Sequence, residues 1–185
     1  KSLLTVSVSP FFSSTWLTPR IMDFIEQNPE IDLRLHHAYF PPNYNQDQID
    51  IGINWGTGKW TGVISEKVID GSLVPLCSVD YHNKSKLTTD PKSILSEPLL
   101  YEFDENDWVS WFAKCGIKIP KIRSSSQISD SNALRRAALE GHGVALFFEK
   151  FANEDIRIGR LYKPFDVSVD TGHHYFVNYP ENREL

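Results

Sequence analysis

Cysteine is nearly missing from this chain: its 185 residues hold two, Cys77 and Cys115. Neither belongs to a CxxC pair, and a chain of this length does not need staples, so both read as reduced structural thiols suited to the cytoplasm. Long apolar runs are missing too. Nothing approaches the ~18 residues that cross a bilayer, so no membrane partner is expected. The opening KSLLTVSVSP reads as a strand rather than a leader. It lacks an initiator Met, which suits a fragment or a processed form. A basic stripe is the fourth absence. Lys and Arg number 19 against 24 Asp and Glu, a net charge of −5, and they are scattered. Neutralising phosphates takes clustered cations, so this segment is not expected to grip nucleic acid itself.

Catalytic and metal signatures are also lacking. Ser, His and Asp all occur, but there is no GxSxG elbow. His36-His37 and His173-His174 are adjacent pairs on expected strands, so each pair's rings point to opposite faces. That is poor metal geometry, with no HExxH or Cys/His spacing beside it, and partly exposed strand histidines are the simpler reading. His142 falls in a Gly turn and reads as solvated. GTGKW at 56–60 is not a phosphate loop, because the GxxxxGK[ST] spacing and the following helix are absent. Asp104, Glu105 and Asp107 read as the acidic first turn of a helix, which the peptide dipoles favour, or as readers of a cationic ligand group. No enzyme activity, metal or cofactor is expected.

What the chain does contain is α/β punctuation. Residues 3–9 form an apolar-rich run ending at Pro10, a first strand. Ser13, Ser14 and Thr15 then offer helix caps, and Leu17, Ile21, Phe24 and Ile25 have helical spacing, with Pro19 placed in the first turn. Pro29 ends that helix. Ile31, Leu33 and Leu35 alternate with polar residues as a second strand, giving a β-α-β unit. Residues 39–48, with Pro41-Pro42, read as a loop; 49–53, 63–69 and 72–78 read as strands, and 55–62 as a Gly-rich loop.

The second half repeats the pattern. A strand is expected at 99–103 and an amphipathic helix at 106–115, followed by an extended stretch at 119–128. The stretch 129–148, SDSNALRRAALEGHGVALFF, is the most readable. Ser129 or Ser131 caps a helix, and Leu134, Ala137 and Ala138 line its apolar side with Arg135, Arg136 and Glu140 opposite. Gly141 and Gly143 turn the chain into a continuous apolar run that suits a strand buried on both faces. A short helix at 151–157, a crossing segment at 161–165 and a last strand at 172–179 follow. The last strand has no partner in the second half and returns most economically to the first. The expected lobes are therefore 1–70 plus 167–185, and 71–166, joined by two crossing strands.

Ligands of open α/β sheets bind beyond the carboxyl ends of the strands. The two helix entrances, Ser9 to Ser14 and Ser126 to Ser131, have similar chemistry: hydroxyls and backbone N–H groups, which suit an anionic or polar group, or simply cap helices. Trp55, Trp60 and Phe11-Phe12 read either as aromatic pocket walls or as ordinary core.

Five segments together carry a family resemblance: the run within 3–35 containing WLTPR, IDIGINWGTGKWTGVISEKVI at 49–69, LVPLCS at 73–78, LRRAALEGHGVAL at 134–146 and GRLYKPF at 159–165. In that order they resemble the effector-binding domain of LysR-type transcriptional regulators, in the subgroup of the glycine-cleavage and β-lactamase activators. The resemblance implies two Rossmann-like α/β lobes of the periplasmic-binding-protein type (type II), with a small-molecule effector between them. It implies an upstream winged helix-turn-helix that alone touches DNA, and a homodimer or homotetramer. The positions matching the family's pocket are Ser9, Pro10, Phe11, Ser13, Trp55, Tyr101, Phe103, Ser126, Ser129 and Tyr175. The sequence departs from the family where a helix usually joins the second and third strands and where a closing C-terminal helix usually follows 181. A solute-binding protein of a transport system is the alternative with the same fold.

Overall fold

The computed structural model describes residues 2–44, 47–119, 122 and 124–182, so the expected extended stretch at 119–128 and the end of the lobe expected to include 167–185 lie partly outside the described residues. The chain divides into two compact units: residues 1–70 with 172–185, and residues 71–171. The second boundary therefore falls five residues later than 166/167. The reason is local: Leu73 and Val169 exchange two backbone hydrogen bonds of 2.9 Å each, which ties 167–171 to the second unit.

Unit 1 is a five-stranded sheet in the order β2-β1-β3-β10-β4. These strands are β1 (Ser2–Val8), β2 (Ile31–His37), β3 (Ile51–Gly56), β4 (Val63–Ile69) and β10 (His174–Pro180). β1 runs parallel to β2 and β3, and β10 runs antiparallel to β3 and β4. Between β1 and β2 the helix begins earlier than its serines suggest. Ser9, in an extended conformation, accepts a hydrogen bond from the Phe12 N–H and caps α1 (Pro10–Phe12), with Pro10 at the first helical position. A π-helical segment, Ser13–Leu17, follows and passes directly into α2 (Thr18–Gln27). Ser13, Ser14 and Thr15 are thus inside a helical run, not at its cap, while Pro19 is the second residue of α2, in its first turn as expected, although the π segment precedes it without a break. A mid-run proline has no N–H to give and its ring crowds the carbonyl four residues back. The wider π turn, in which the Thr18 N–H bonds to Ser13 O, is the local change that accommodates it. No helix separates β2 from β3 among the described residues.

Unit 2 is a second five-stranded sheet in the order β7-β6-β8-β5-β9. Its strands are β5 (Leu73–Ser78), β6 (Leu99–Tyr101), β7 (Ser125–Gln127), β8 (Val144–Phe148) and β9 (Leu161–Tyr162). The helices are α3 (Val79–Lys84), α4 (Asn106–Lys114), α5 (Ser131–Leu139) and α6 (Glu149–Arg157). β5 and β8 are buried along their whole length, as a continuous apolar run requires. α4 buries Trp108, Trp111 and Phe112 together, and each indole N–H finds a backbone carbonyl: Trp108 on Leu100 at 3.1 Å and Trp111 on Val167 at 2.8 Å. Gly143, at φ +149°, enters β8 where a Cβ would lie 2.4 Å from the Pro98 carbonyl oxygen, so only glycine fits.

Candidate functional site

In unit 1 the carboxyl ends of β1, β2 and β3 and the start of β10 form one edge of the sheet. Seven residues singled out from the sequence gather at that edge. Ser9 and Pro10 follow β1, and Phe11, Phe12 and Ser13 are buried in the first helical turns. Trp55 pairs across the strands with Tyr175. Their rings lie 5.2 Å apart, Tyr175 meets Phe12 at 4.7 Å, and the His173 ring stacks on Trp55 at 6.0 Å. The wall is therefore aromatic and continuous, with Tyr175 buried inside it. Trp60 is elsewhere, edge-on to Phe176.

His37 completes this edge and was not singled out from the sequence. It ends β2, and its Nε2 lies 3.0 Å from the Ser13 hydroxyl oxygen. Reading it as a plain strand histidine missed this; its place at the carboxyl end of a parallel strand was the available signal. A serine against an imidazole resembles a nucleophile–base pair. Among the described residues, however, no carboxylate orients the ring as a catalytic triad demands.

Unit 2 assembles its own strand-end group. Tyr101 ends β6, and Phe103 follows on an exposed turn, 44% accessible. Ser126 pairs with Leu100, not with Tyr101, so it occupies the other face of the sheet from Tyr101. Ser129 is exposed. It is not the helix cap, and neither is Ser131: Asp130 is, its carboxylate accepting from the Ala133 N–H at 2.8 Å. Asp130 has the extended backbone of a cap, while Ser131 is already the first helical residue. Freed from capping, the Ser131 hydroxyl donates to Glu102, lying 2.8 Å from each carboxylate oxygen.

Glu102 is the electrostatic centre of this group. Burial pushes its carboxyl up from 4.5 to about 7; the Ser131 hydroxyl works against that, and the nearby Asp130 charge adds to it. Leu73, Tyr101, Phe103, Asp107 and Leu146 to Phe148 surround the same small pocket. The acidic trio beside it is used locally. Asp104 accepts from the Asn106 N–H at 2.8 Å, and Glu105 accepts from the Ser125 hydroxyl. On the side of α5 opposite its apolar stripe, Arg135 forks onto the buried carboxylate of Asp155 at 2.7 and 2.8 Å. His142 is exposed beside Glu140.

No cluster of three or more His, Cys, Asp or Glu able to hold a metal occurs among the described residues, and no helix there is long and apolar enough to cross a membrane. Burial raises the Cys77 thiol to about 12, with the Glu97 charge adding to it, which makes that sulfur inert at neutral pH.

Comparison with known proteins gives this arrangement its context. The chain is 32% identical over 186 residues to the glycine cleavage system transcriptional activator of Escherichia coli K12, covering 100% of this chain and 61% of the relative. It is 30% identical over 182 residues to the transcriptional activator AmpR of Rhodobacter capsulatus, covering 98% of this chain and 61% of that one. It thus spans about three-fifths of the length of these relatives. Among solved structures, the effector domain of AmpR from Pseudomonas aeruginosa superposes with a TM-score of 0.86 at 28% identity, covering 100% of this chain and 88% of the other. The AmpR effector-binding domain from Citrobacter freundii, at 23% identity, shares the fold with a TM-score of 0.87. The family description "LysR substrate binding domain" matches residues 1–185, and the chain belongs to that family.

Proposed function

We propose that this chain is the sensing part of a LysR-type transcriptional regulator, binding a small-molecule effector without covalent chemistry. The observation that carries the reading is that the helix entrance of each unit lies at the carboxyl ends of its parallel strands, where ligands of such sheets bind. In unit 1 the candidate effector contacts are Ser9, Pro10, Phe11, Ser13, Trp55 and Tyr175. In unit 2 they are Tyr101, Phe103 and Ser129, with Ser126 on the other face of that sheet from Tyr101. The relatives are regulators of transcription, which favours sensing over solute transport.

The full-length protein then contacts DNA through a helix-turn-helix segment outside this chain, acts in the cytoplasm and works as a homodimer or homotetramer. Support for self-association comes from α2, which buries none of its residues and leaves Met22 54% accessible. The effector acts by favouring one arrangement of the protein over another, which requires unequal affinity for the two. A thermal-shift screen of metabolites on the 185-residue chain tests the proposal. A true effector raises the melting temperature in proportion to the logarithm of its concentration and perturbs the amides of Ser9, Ser13 and Ser129. A hit that perturbs neither entrance overturns it.

A further inference from the structure

We infer that His37 sets the hydrogen-bonding polarity of the Ser13 hydroxyl, so that this edge of unit 1 selects an effector group bearing a carboxylate or similar oxyanion. The inference rests on the proposed effector site but concerns a residue that the reading of that site did not use.

Ser13 is buried, 4% exposed, and among the described residues the His37 Nε2 is the one side-chain partner of its hydroxyl. A hydroxyl has one proton and two lone pairs. When the Nε2 is bare, Ser13 spends its proton on the imidazole and offers only lone pairs to a ligand. When the Nε2 carries a proton, the imidazole donates to Ser13, and the serine proton turns outward as a donor. An oxyanion favours the second state and an ammonium the first. The imidazolium adds its positive charge to the same preference. So does the start of the helical run at Pro10, where the peptide dipoles present their positive end.

The charge around His37 does not reverse this. Among the described residues no carboxylate bonds or ion-pairs with it. On β2, Asp32, Arg34 and His36 occupy the opposite face from His37. Arg20, on α2, is held 4.7 Å from the Trp16 ring centre, and Asp23 and Glu26 lie further along that helix. The neighbouring wall is the aromatic row of Phe12, Tyr175 and Trp55, which suits a ring attached to the anionic group. His37 is a positioning residue in this account: it acts through Ser13.

The test uses phenylacetate and phenethylammonium, a matched pair of opposite charge, titrated into the isotopically labelled 185-residue chain. Amide shifts are followed across a pH series from about 5.5 to about 8. Wild type should prefer phenylacetate, and the preference should grow as pH falls. His37→Ala should lose roughly tenfold of that preference, the size of one charge-assisted hydrogen bond. His37→Gln, which keeps a neutral donor, should retain preference at the higher pH and lose the pH dependence. Adding Ser13→Ala to His37→Ala should cost little more, because the two act as one unit. His37 is exposed, so its variants leave the core intact. If both probes bind at Ser9–Ser13 and His37→Ala leaves the selection unchanged, the role of His37 falls while the effector site stands. If neither probe perturbs that edge, the effector site fails there and this inference fails with it.

Discussion

The two units use one topology with different shares of buried apolar mass. Unit 2 is built on apolar mass: β5 and β8 are buried throughout, and Trp108, Trp111, Phe112, Phe147 and Phe148 are all inaccessible. Both units bury polar groups, Ser78, Glu97, Ser131 and Asp155 in unit 2, but unit 1 sets its own across the middle of its sheet and has less apolar mass around them. Thr5, Ser7, Asn54 and Asn178 share one face of its sheet, where the Asn178 amide donates to Asn54 at 3.0 Å and Tyr44 donates to the Asn178 carbonyl at 3.2 Å. Its helix α2 buries nothing, and β2 has no buried residue. Burial of apolar surface is the main source of stability, and a hydrogen bond between buried polar groups adds only about 0.5–1.5 kcal/mol net. The difference teaches that unit 2 is the stiff half and unit 1 the yielding one.

The largest break in this comparison is a hole in unit 2. Trp111→Ala removes a fully buried ring packed on Trp108, Phe112 and Phe165, together with its bond to Val167. A loss of about 3–5 kcal/mol is expected in denaturant titration. Phe24→Ala, on the half-exposed side of α2, should cost under about 1.5 kcal/mol by the same measurement. Equal losses would erase the distinction between the units.

How far the sequence showed this depends on the kind of signal. Val144–Phe148 and the alternation of Ile31, Leu33 and Leu35 are read from apolar spacing, because burial imposes it along the whole element. The helix between β1 and β2 was legible as a helix but not in its start. Ser9, Ser13, Ser14 and Thr15 are equivalent on paper, and only the backbone conformation at Ser9 decides among them. The π segment before Pro19 has no sequence signature apart from the proline itself. At the site, hydroxyls and aromatics were legible through the family pattern. His37 and Glu102 were not, because their roles come from partners distant in sequence, Ser13 and Ser131.

Glu102 sharpens the comparison by pH. Its carboxyl is raised from 4.5 to about 7, so the folded state holds a proton that the unfolded state releases. Its contribution to stability is complete below about pH 4.5 and is lost as pH rises to about 7. Glu102→Gln should therefore stabilise the chain by roughly 1–3 kcal/mol near pH 8, and by almost nothing near pH 4. Thermal melts at the two pH values check it. A stabilisation equal at both would mean that the carboxyl is not titrating where burial puts it.

The smallest expected effect separates the two neighbours at the start of α5. Asp130 caps the helix through the Ala133 N–H, whereas the exposed Ser129 makes no capping bond. Asp130→Ala should cost about 1 kcal/mol, the usual loss of a cap. Ser129→Ala should stay within about 0.5 kcal/mol of wild type, as an exposed substitution does. Once an effector is in hand, calorimetry on the same two variants divides structure from sensing. Weakened binding in Ser129→Ala with unchanged stability assigns that hydroxyl to the ligand. Unchanged binding removes Ser129 from the site and leaves unit 2 to contribute through Tyr101, Phe103 and the Glu102–Ser131 pair.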